Sequence, residues 1–156
     1  MRNNRFTIVA ASLLVAACAT DGSVNVGPIG STDSRLSAVA APPVADLASA
    51  MVTMKIAVTS SLPESVTGGV CASAVEARTA ASTTWTDVTS SLYACPAIAA
   101  VLLPGSTLTI TAAADAAKIR AVAGASTAVV LRARSTLNGS NTAYILQSNE
   151  VTYQLP

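Results

Sequence analysis

A strict alternation of apolar and polar side chains over residues 51–59 constrains the fold of this chain more than any other feature. The even positions are apolar and the odd positions are mostly polar: Val52, Met54, Ile56 and Val58 against Thr53, Lys55, Ala57 and Thr59. A period of two residues is that of a β-strand with one buried face and one exposed face. We therefore expect a sheet that covers one side of a hydrophobic core.

The rest of the chain towards the C-terminus continues in short β-prone segments. They cover residues 66–78, 84–88, 107–112, 128–134, 142–147 and 150–155. Leu103-Pro104-Gly105 favours a turn with a positive φ at the glycine, and Asn138-Gly139 favours a type I′ hairpin. About seven antiparallel strands with turn signals between most of them predict one all-β domain, residues 50–156, folded as a β-sandwich with Greek-key connections.

The first eighteen residues have the pattern of an export signal. Arg2 and Arg5 precede an apolar run over residues 6–17. That run is too short to cross a bilayer, which needs about 20 residues. A basic start, a short apolar middle and small residues at the end are typical of a secretory signal peptide.

The end of this run, Leu13-Leu14-Val15-Ala16-Ala17-Cys18, resembles the lipobox of bacterial lipoproteins. The resemblance implies that lipoprotein signal peptidase removes residues 1–17 and that Cys18 is acylated and holds the protein on a membrane. Ala19 instead of Asp after the cysteine implies, in enteric-type cells, an outer-membrane location facing the periplasm or the cell surface. Two alternatives are cleavage after Ala19, giving a soluble secreted protein, and a buried helix in a cytosolic protein.

Residues 18–49 are rich in Gly, Pro, Ser and Asp and follow no hydrophobic period. This composition predicts a flexible tether between the lipidated cysteine and the sandwich. Two alternatives concern its last part. A short helix over residues 44–50 would follow Pro42-Pro43, or the first strand of the sandwich would begin there.

Cys71 and Cys95 remain as a pair if Cys18 carries lipid. An even pair in an exported domain predicts a disulfide, and the alternative is two reduced, buried thiols. Aromatic residues make up only 3% of the chain, so each core residue buries little area and a cross-link is valuable.

Several residues follow each other in an order that resembles the immunoglobulin-like domains of small exported bacterial proteins of unknown role. They are Cys71, Trp85, Cys95, Leu103-Pro104-Gly105 and Ser148-Asn149-Glu150. The resemblance implies an immunoglobulin-like sandwich. The Gly-x-Tyr strand that such domains often carry before the last hairpin is replaced here by Ala128-Val129-Val130-Leu131. A more distant similarity is to the sandwich of intracellular proteinase inhibitors, and no inhibitory residue carries over.

The composition excludes several classes of function. The chain has no histidine, which excludes Ser–His and Cys–His nucleophiles and leaves zinc without its usual ligands. Without Arg2 and Arg5, seven basic residues face eight acidic ones, so nucleic acid is not an expected partner. We predict no enzymatic activity and no cofactor or metal. The acidic residues in or near the domain are expected on the solvated surface: Glu64, Glu76, Asp87, Asp115 and Glu150.

Two further sets of side chains have a structural and a functional interpretation. Arg132 and Arg134 share a strand face and would suit an anion, but pairing with Glu150 is favoured. Trp85 and Tyr144 would suit a sugar, but Trp85 is favoured as a core residue beside the disulfide.

The sequence therefore predicts a non-catalytic, membrane-anchored lipoprotein that acts as an interaction or structural module of the cell envelope. Its partner would be an envelope protein or glycan, bound by loop tips or by an exposed strand edge. The alternative is an inhibitor or regulator of an envelope protease or other enzyme, acting through residues 83–94 inside the disulfide ring.

Overall fold

A computed structural model describes residues 33–46 and 48–156 of the chain. The predicted signal peptide, Cys18 and the first part of the tether lie outside these residues. The described part contains one α-helix and eleven β-strands: β1 Leu36–Ala40, β2 Val44–Asp46, β3 Met51–Ser60, β4 Val66–Gly69, β5 Ala74–Arg78, β6 Thr86–Asp87, β7 Ala99–Leu102, β8 Thr107–Asp115, α1 Ala116–Ala123, β9 Ala128–Asn138, β10 Ala143–Gln147 and β11 Val151–Gln154. Within it, no helix is long and apolar enough to cross a membrane.

The strands form two antiparallel sheets arranged as a sandwich. In the first sheet β3 is central, with β1 and β2 along one edge and β8 along the other. In the second sheet β9 is central, with β4 and β5 along one edge and β10 and β11 along the other. Outside β4 and β5 lie β7 and β6.

Eight of the eleven strands form four pairs, and the two members of each pair are halves of one interrupted strand. β1 and β2 follow one edge of β3, and the pairs β4–β5, β6–β7 and β10–β11 continue one another in the same way. Counted so, the described residues form seven strands. The first, second and fifth make one sheet, and the fourth, third, sixth and seventh, in that spatial order, make the other. The prediction of an all-β sandwich with about seven antiparallel strands and Greek-key crossings is confirmed.

The core lies between the two sheets and follows the predicted alternation. The inward apolar side chains of the two central strands are at most 2% exposed: Val52, Met54, Ile56 and Val58 on β3, and Val129, Leu131, Ala133 and Leu137 on β9. Alternate burial along both strands fixes their register, because a slip of one residue would turn every apolar side chain towards solvent.

The sandwich begins at Leu36, so the predicted tether over residues 18–49 is too long. Leu36, Ala38 and Ala40 are buried, and β1 pairs with β3. The helix considered for residues 44–50 is also wrong, because β2 forms there and pairs with the start of β3. Pro42-Pro43 interrupt this strand without ending it. Prolines are tolerated here because an edge strand has a neighbouring strand on one side only, so the missing N–H groups are not needed for pairing on the other side.

One α-helix follows β8, beyond the predicted strand segment over residues 107–112. It begins at Ala116 and ends at Ala123. Asp115 caps it by accepting hydrogen bonds from the N–H groups of Ala117 and Lys118, at 2.8 and 3.2 Å. The run of alanines before the cap suits strand and helix equally, and pairing with β3 decides that it belongs to β8.

Candidate functional site

The predicted disulfide is present and joins two different parts of the domain. Cys71 and Cys95 are bonded, with 6.1 Å between their Cα atoms. Cys71 lies where the two sheets meet, because the N–H of Ala72 donates to Thr111 O of β8 at 2.8 Å and the N–H of Thr111 donates to Val70 O at 2.9 Å. The bridge therefore ties Cys95 to the junction between the sheets.

Cys95 belongs to an exposed segment, residues 91–98, which we call the arm. The arm has no strand, and only Tyr93 in it is half-buried. Its hydrogen bonds are local: the N–H of Leu92 donates to Ser90 Oγ at 3.2 Å, and the N–H of Ile98 donates to Pro96 O at 2.8 Å. Among the described residues, no hydrogen bond connects the arm to a strand, so the disulfide is what holds its middle against the sandwich.

A groove lies between the arm and the outer face of the second sheet. Its main part has a volume of about 400 Å³ and is lined by Thr67, Gly68, Gly69, Pro96, Ala97, Ile98, Ala99, Thr136 and Asn138. A neighbouring hollow of about 260 Å³ shares Thr136 and is lined by Ser73, Ala74, Arg134, Ser135 and Ile145. We refer to both parts together as the outer groove. Its floor is the sheet and one wall is the arm.

Exposed apolar side chains occur on the arm and the second sheet, and two of them line the outer groove. Of the seven large hydrophobic residues exposed in the described part, five lie on the arm, on β10 or in and just after β7: Leu92, Ile98, Val101, Leu103 and Ile145. Ile98 and Ile145 line the groove itself. Single exposed apolar residues are common, but a concentration of them on one sheet and the arm beside it marks a candidate binding surface. The outer groove and its apolar border are therefore the candidate functional site.

β7 also forms the outer edge of the second sheet, but it is a poor template for strand addition. It has only four residues and lies between Pro96 and Pro104. A short edge strand flanked by prolines is a common protection against pairing with another chain. These features favour binding through side-chain contacts in the groove over the addition of a partner's strand at this edge, the mode that the sequence also suggested.

The prediction that Trp85 is a core residue is wrong. Trp85 is half-buried and lies on the outer face of the second sheet, with the guanidinium carbon of Arg132 at 3.9 Å and that of Arg78 at 5.0 Å from its ring centre. Two cations over one indole ring are a favourable arrangement. Val88, three residues further on, is the fully buried residue of this segment.

The predicted pairing of Arg132 and Arg134 with Glu150 is also wrong. Glu76 accepts hydrogen bonds from Arg132 Nε at 2.6 Å and from Arg134 Nη1 at 3.2 Å. Glu150 instead pairs with Arg78, at 2.8 Å. Each arginine thus has a carboxylate partner, and Arg132 and Arg134 share one, so three guanidinium groups face two carboxylates.

Glu64 joins the loop before β4 to the hairpin between β9 and β10. Its carboxylate accepts hydrogen bonds from the N–H of Ser140 at 3.0 Å, from Ser140 Oγ at 2.6 Å and from Tyr144 Oη at 2.9 Å. These bonds lower the pKa of Glu64, chiefly through the Ser140 hydroxyl, and the carboxylate raises the pKa of Tyr144. Since Tyr144 is only 7% exposed, it does not offer its ring to a sugar.

The Asn138-Gly139 hairpin forms, but not as a two-residue type I′ turn. The loop is residues 139–142, with β9 pairing to β10 at Asn138 and Ala143, and the described positive-φ glycines are Gly105 and Gly124 only. A Cβ at Gly139 would lie 2.8 Å from Glu64 Oε1 and 3.0 Å from the Tyr144 ring. The glycine is needed here because the carboxylate approaches the backbone, not because of its φ angle.

Replacing Glu64 with glutamine should lower stability in a pH-dependent manner. Because the folded-state pKa of Glu64 lies below its ordinary value of 4.5, the stabilisation is present above that pH and is lost as the pH falls through the folded-state pKa. The difference in unfolding free energy between wild type and Glu64→Gln, measured with urea, should therefore be full at pH 7 and should shrink as the pH falls below 4.5. Tyr144→Phe, which removes one of the three bonds, should show a smaller difference at pH 7. A difference for Glu64→Gln that does not change with pH would contradict this assignment.

Ser148-Asn149-Glu150 connects the two halves of the last interrupted strand, and each member has a contact. Ser148 Oγ accepts a hydrogen bond from the N–H of Ala133 at 2.9 Å. Asn149 Oδ1 accepts one from the N–H of Ala40 at 2.6 Å, and the N–H of Asn149 donates to Ala38 O at 3.3 Å. Asn149 thus joins the second sheet to β1 of the first. The sequence contained this motif, but nothing in it identified the partner strands.

The remaining acidic residues have structural contacts and no common pocket. Asp87 accepts from the N–H and hydroxyl of Thr89, at 2.8 and 2.5 Å, and Asp115 caps α1. Nowhere in residues 33–46 and 48–156 do three His, Cys, Asp or Glu side chains meet as a metal site.

A second cavity, at the end of the sandwich near α1, is smaller. It has a volume of about 190 Å³ and is lined by Ala45, Asp46, Ala50, Met51, Val52, Ala116, Arg120, Tyr153, Leu155 and Pro156. Pockets for small organic ligands usually measure about 300–1,000 Å³. This cavity is smaller but more enclosed than the outer groove, so the exposed apolar side chains, and not the volume, favour the outer groove.

No family model and no curated protein sequence matches the chain. Among solved structures, the Northeast Structural Genomics Consortium target SoR45 is similar with a TM-score of 0.52 at 7% identity, covering 80% of this chain and 89% of that one. The putative ApaA protein from Bordetella pertussis aligns with a TM-score of 0.45 at 10% identity, over 82% of this chain and 94% of that one. At such identities, the similarity to SoR45 supports the all-β sandwich fold alone.

Proposed function

We propose that this protein is a non-catalytic lipoprotein of the bacterial cell envelope that binds an envelope protein or glycan through the outer groove. The concentration of exposed apolar side chains on the arm and around β7, beside a groove of about 400 Å³, is the observation that carries the binding role. The lipobox pattern at Cys18 and the Cys71–Cys95 disulfide support the exported location.

The early start of the sandwich bears on the proposed anchor. Cys18 precedes Leu36 by eighteen residues, a length that spans about 60 Å at full extension. A lipid at Cys18 would therefore keep the groove within reach of components at the membrane surface. Stable anchoring requires more than one acyl chain, as the resemblance to lipoproteins implies.

The alternative, an inhibitor acting through residues 83–94, has less support. Trp85 lies against the arginines of the sheet, and Val88 is fully buried. The N–H of Ser90 donates to Ala113 O at 2.9 Å, so this residue is also held by the body of the domain. Much of the segment is therefore held against the sandwich, which does not suit a protruding inhibitory loop.

Photo-cross-linking in intact cells tests the binding role. A photoreactive residue at Ile98 should give a discrete adduct, whereas one at Val39, equally exposed on the opposite sheet, should not. Val101→Asp should lower the cross-linking yield from position 98 at least about tenfold. A charge beside an apolar contact weakens binding, and a tenfold loss of affinity corresponds to about 1.4 kcal/mol of binding free energy. Equal adducts from both positions, or a yield that Val101→Asp leaves unchanged, would speak against the outer groove.

A further inference from the structure

We propose that the Cys71–Cys95 bridge is a thiol–disulfide exchange site, attacked by an external thiol at the Cys95 sulfur, and that its opening releases the arm. This inference goes beyond the binding role and does not depend on the membrane anchor.

The two halves of the bridge differ in their access to solvent. Cys95 is exposed, although cysteine is among the residue types most often buried in folded proteins. Cys71 is half-buried, and its neighbours Val70 and Ala72 are hydrogen-bonded to Thr111 of the first sheet. Exchange depends on which sulfur the incoming thiolate can reach. A thiolate arriving from solvent therefore reaches Cys95 first.

The chemistry of the first step follows from this direction of attack. The lone pair of the thiolate forms a new S–S bond to Cys95 Sγ, the bond between Cys95 and Cys71 breaks, and Cys71 leaves as a thiolate that takes a proton from water. One disulfide replaces another, so this step needs no oxidant or reductant. A second thiol then displaces Cys95 as a thiolate, and the thiol pair is oxidised to its own disulfide while the bridge is reduced by two electrons.

Opening the bridge changes the outer groove because the arm is one of its walls. Pro96, Ala97 and Ile98 line the groove, and the hydrogen bonds of the arm are local. Without the bridge, no described hydrogen bond connects residues 91–98 to a strand, and the half-buried Tyr93 is their only partly covered side chain. The redox state of the bridge thereby controls the shape of the proposed binding site.

The regiochemistry of attack tests the first part of the proposal. The full chain carrying Cys18→Ala, which leaves this bridge as its only cysteine pair, is treated with glutathione in native buffer and the free thiols are alkylated. Peptide mapping should find glutathione on Cys95 and the alkyl group on Cys71, in at least about tenfold excess over the reverse. The rate should rise in proportion to glutathione concentration. Equal or reversed labelling, or a rate independent of glutathione and equal to the unfolding rate, would overturn it.

Limited proteolysis tests the release of the arm. Chymotrypsin should cut after the half-buried Tyr93 much faster once the bridge is reduced, while the buried Tyr144 and Tyr153 stay protected. The Cys71→Ser/Cys95→Ser variant, in the same Cys18→Ala chain, should be cut at Tyr93 at the fast rate with or without thiol. Unchanged cleavage at Tyr93 after reduction, or simultaneous cleavage at all three tyrosines, would contradict a local release.

Discussion

Replacing Cys18 with alanine should remove palmitate labelling and the membrane association that resists an alkaline carbonate wash. The proposed anchor needs the thiol of Cys18, and each buried methylene of an acyl chain contributes about 0.8 kcal/mol to membrane binding. Globomycin, which inhibits lipoprotein signal peptidase, should cause the unprocessed wild-type precursor to accumulate. Processing and fractionation that neither the substitution nor the drug changes would refute the lipoprotein assignment.

The control for this experiment retains Cys18 and changes the other two cysteines. The Cys71→Ser/Cys95→Ser variant should be labelled and should fractionate like the wild type, because the anchor and the bridge are separate. Intact mass of the mature wild-type protein should correspond to a chain that begins at an acylated Cys18. A chain that begins after Ala19 would instead indicate the soluble secreted alternative.

Loss of the disulfide should lower the free energy of unfolding by up to about 3.5 kcal/mol. The bridge spans 24 residues of sequence, and closing a loop of that size removes this much conformational entropy from the unfolded chain. The native arm also gains freedom when the bridge is absent, so the measured loss should fall below this limit. Urea unfolding of the Cys18→Ala chain, with and without Cys71→Ser/Cys95→Ser, measures the difference.

Reduction provides the matched control for the disulfide prediction. A thiol reductant should bring the Cys18→Ala chain to the stability of the serine variant and leave the variant itself unchanged. A loss smaller than about 0.5 kcal/mol would mean that the native arm gains nearly as much freedom as the unfolded chain. In that event the bridge would contribute to the shape of the outer groove but not to global stability.

Local patterns predicted most of the strands correctly. The alternation over residues 51–59 matches the burial along β3, and the segment over residues 128–134 is the first part of β9. Gly105 has the positive φ, 72°, that its turn required. These features depend on neighbouring residues in the chain, so the sequence alone is sufficient to predict them. β1 was missed because Leu36, Ala38 and Ala40 alternate over only five residues within a segment of linker-like composition.

The charged and aromatic contacts of the outer sheet face were not predicted correctly, because they depend on register. Glu76 lies opposite Arg132 only because β5 pairs with β9 in one particular alignment. The same alignment places Arg132 beneath Trp85, which directly precedes the two-residue strand β6. A shift of two residues would preserve the apolar pattern and exchange every ion pair on this face.

The sequence by itself determined the all-β class, the main strands and the pairing of Cys71 with Cys95. Only the tertiary structure decided that Cys95 is exposed, that the arm forms a wall of a groove and that Asn149 binds Ala40, 109 positions away. The physical reason is how far apart along the chain the interacting residues are. A strand period or a turn is a property of a few adjacent residues, whereas a groove or a cross-sheet hydrogen bond exists only after distant segments have packed together.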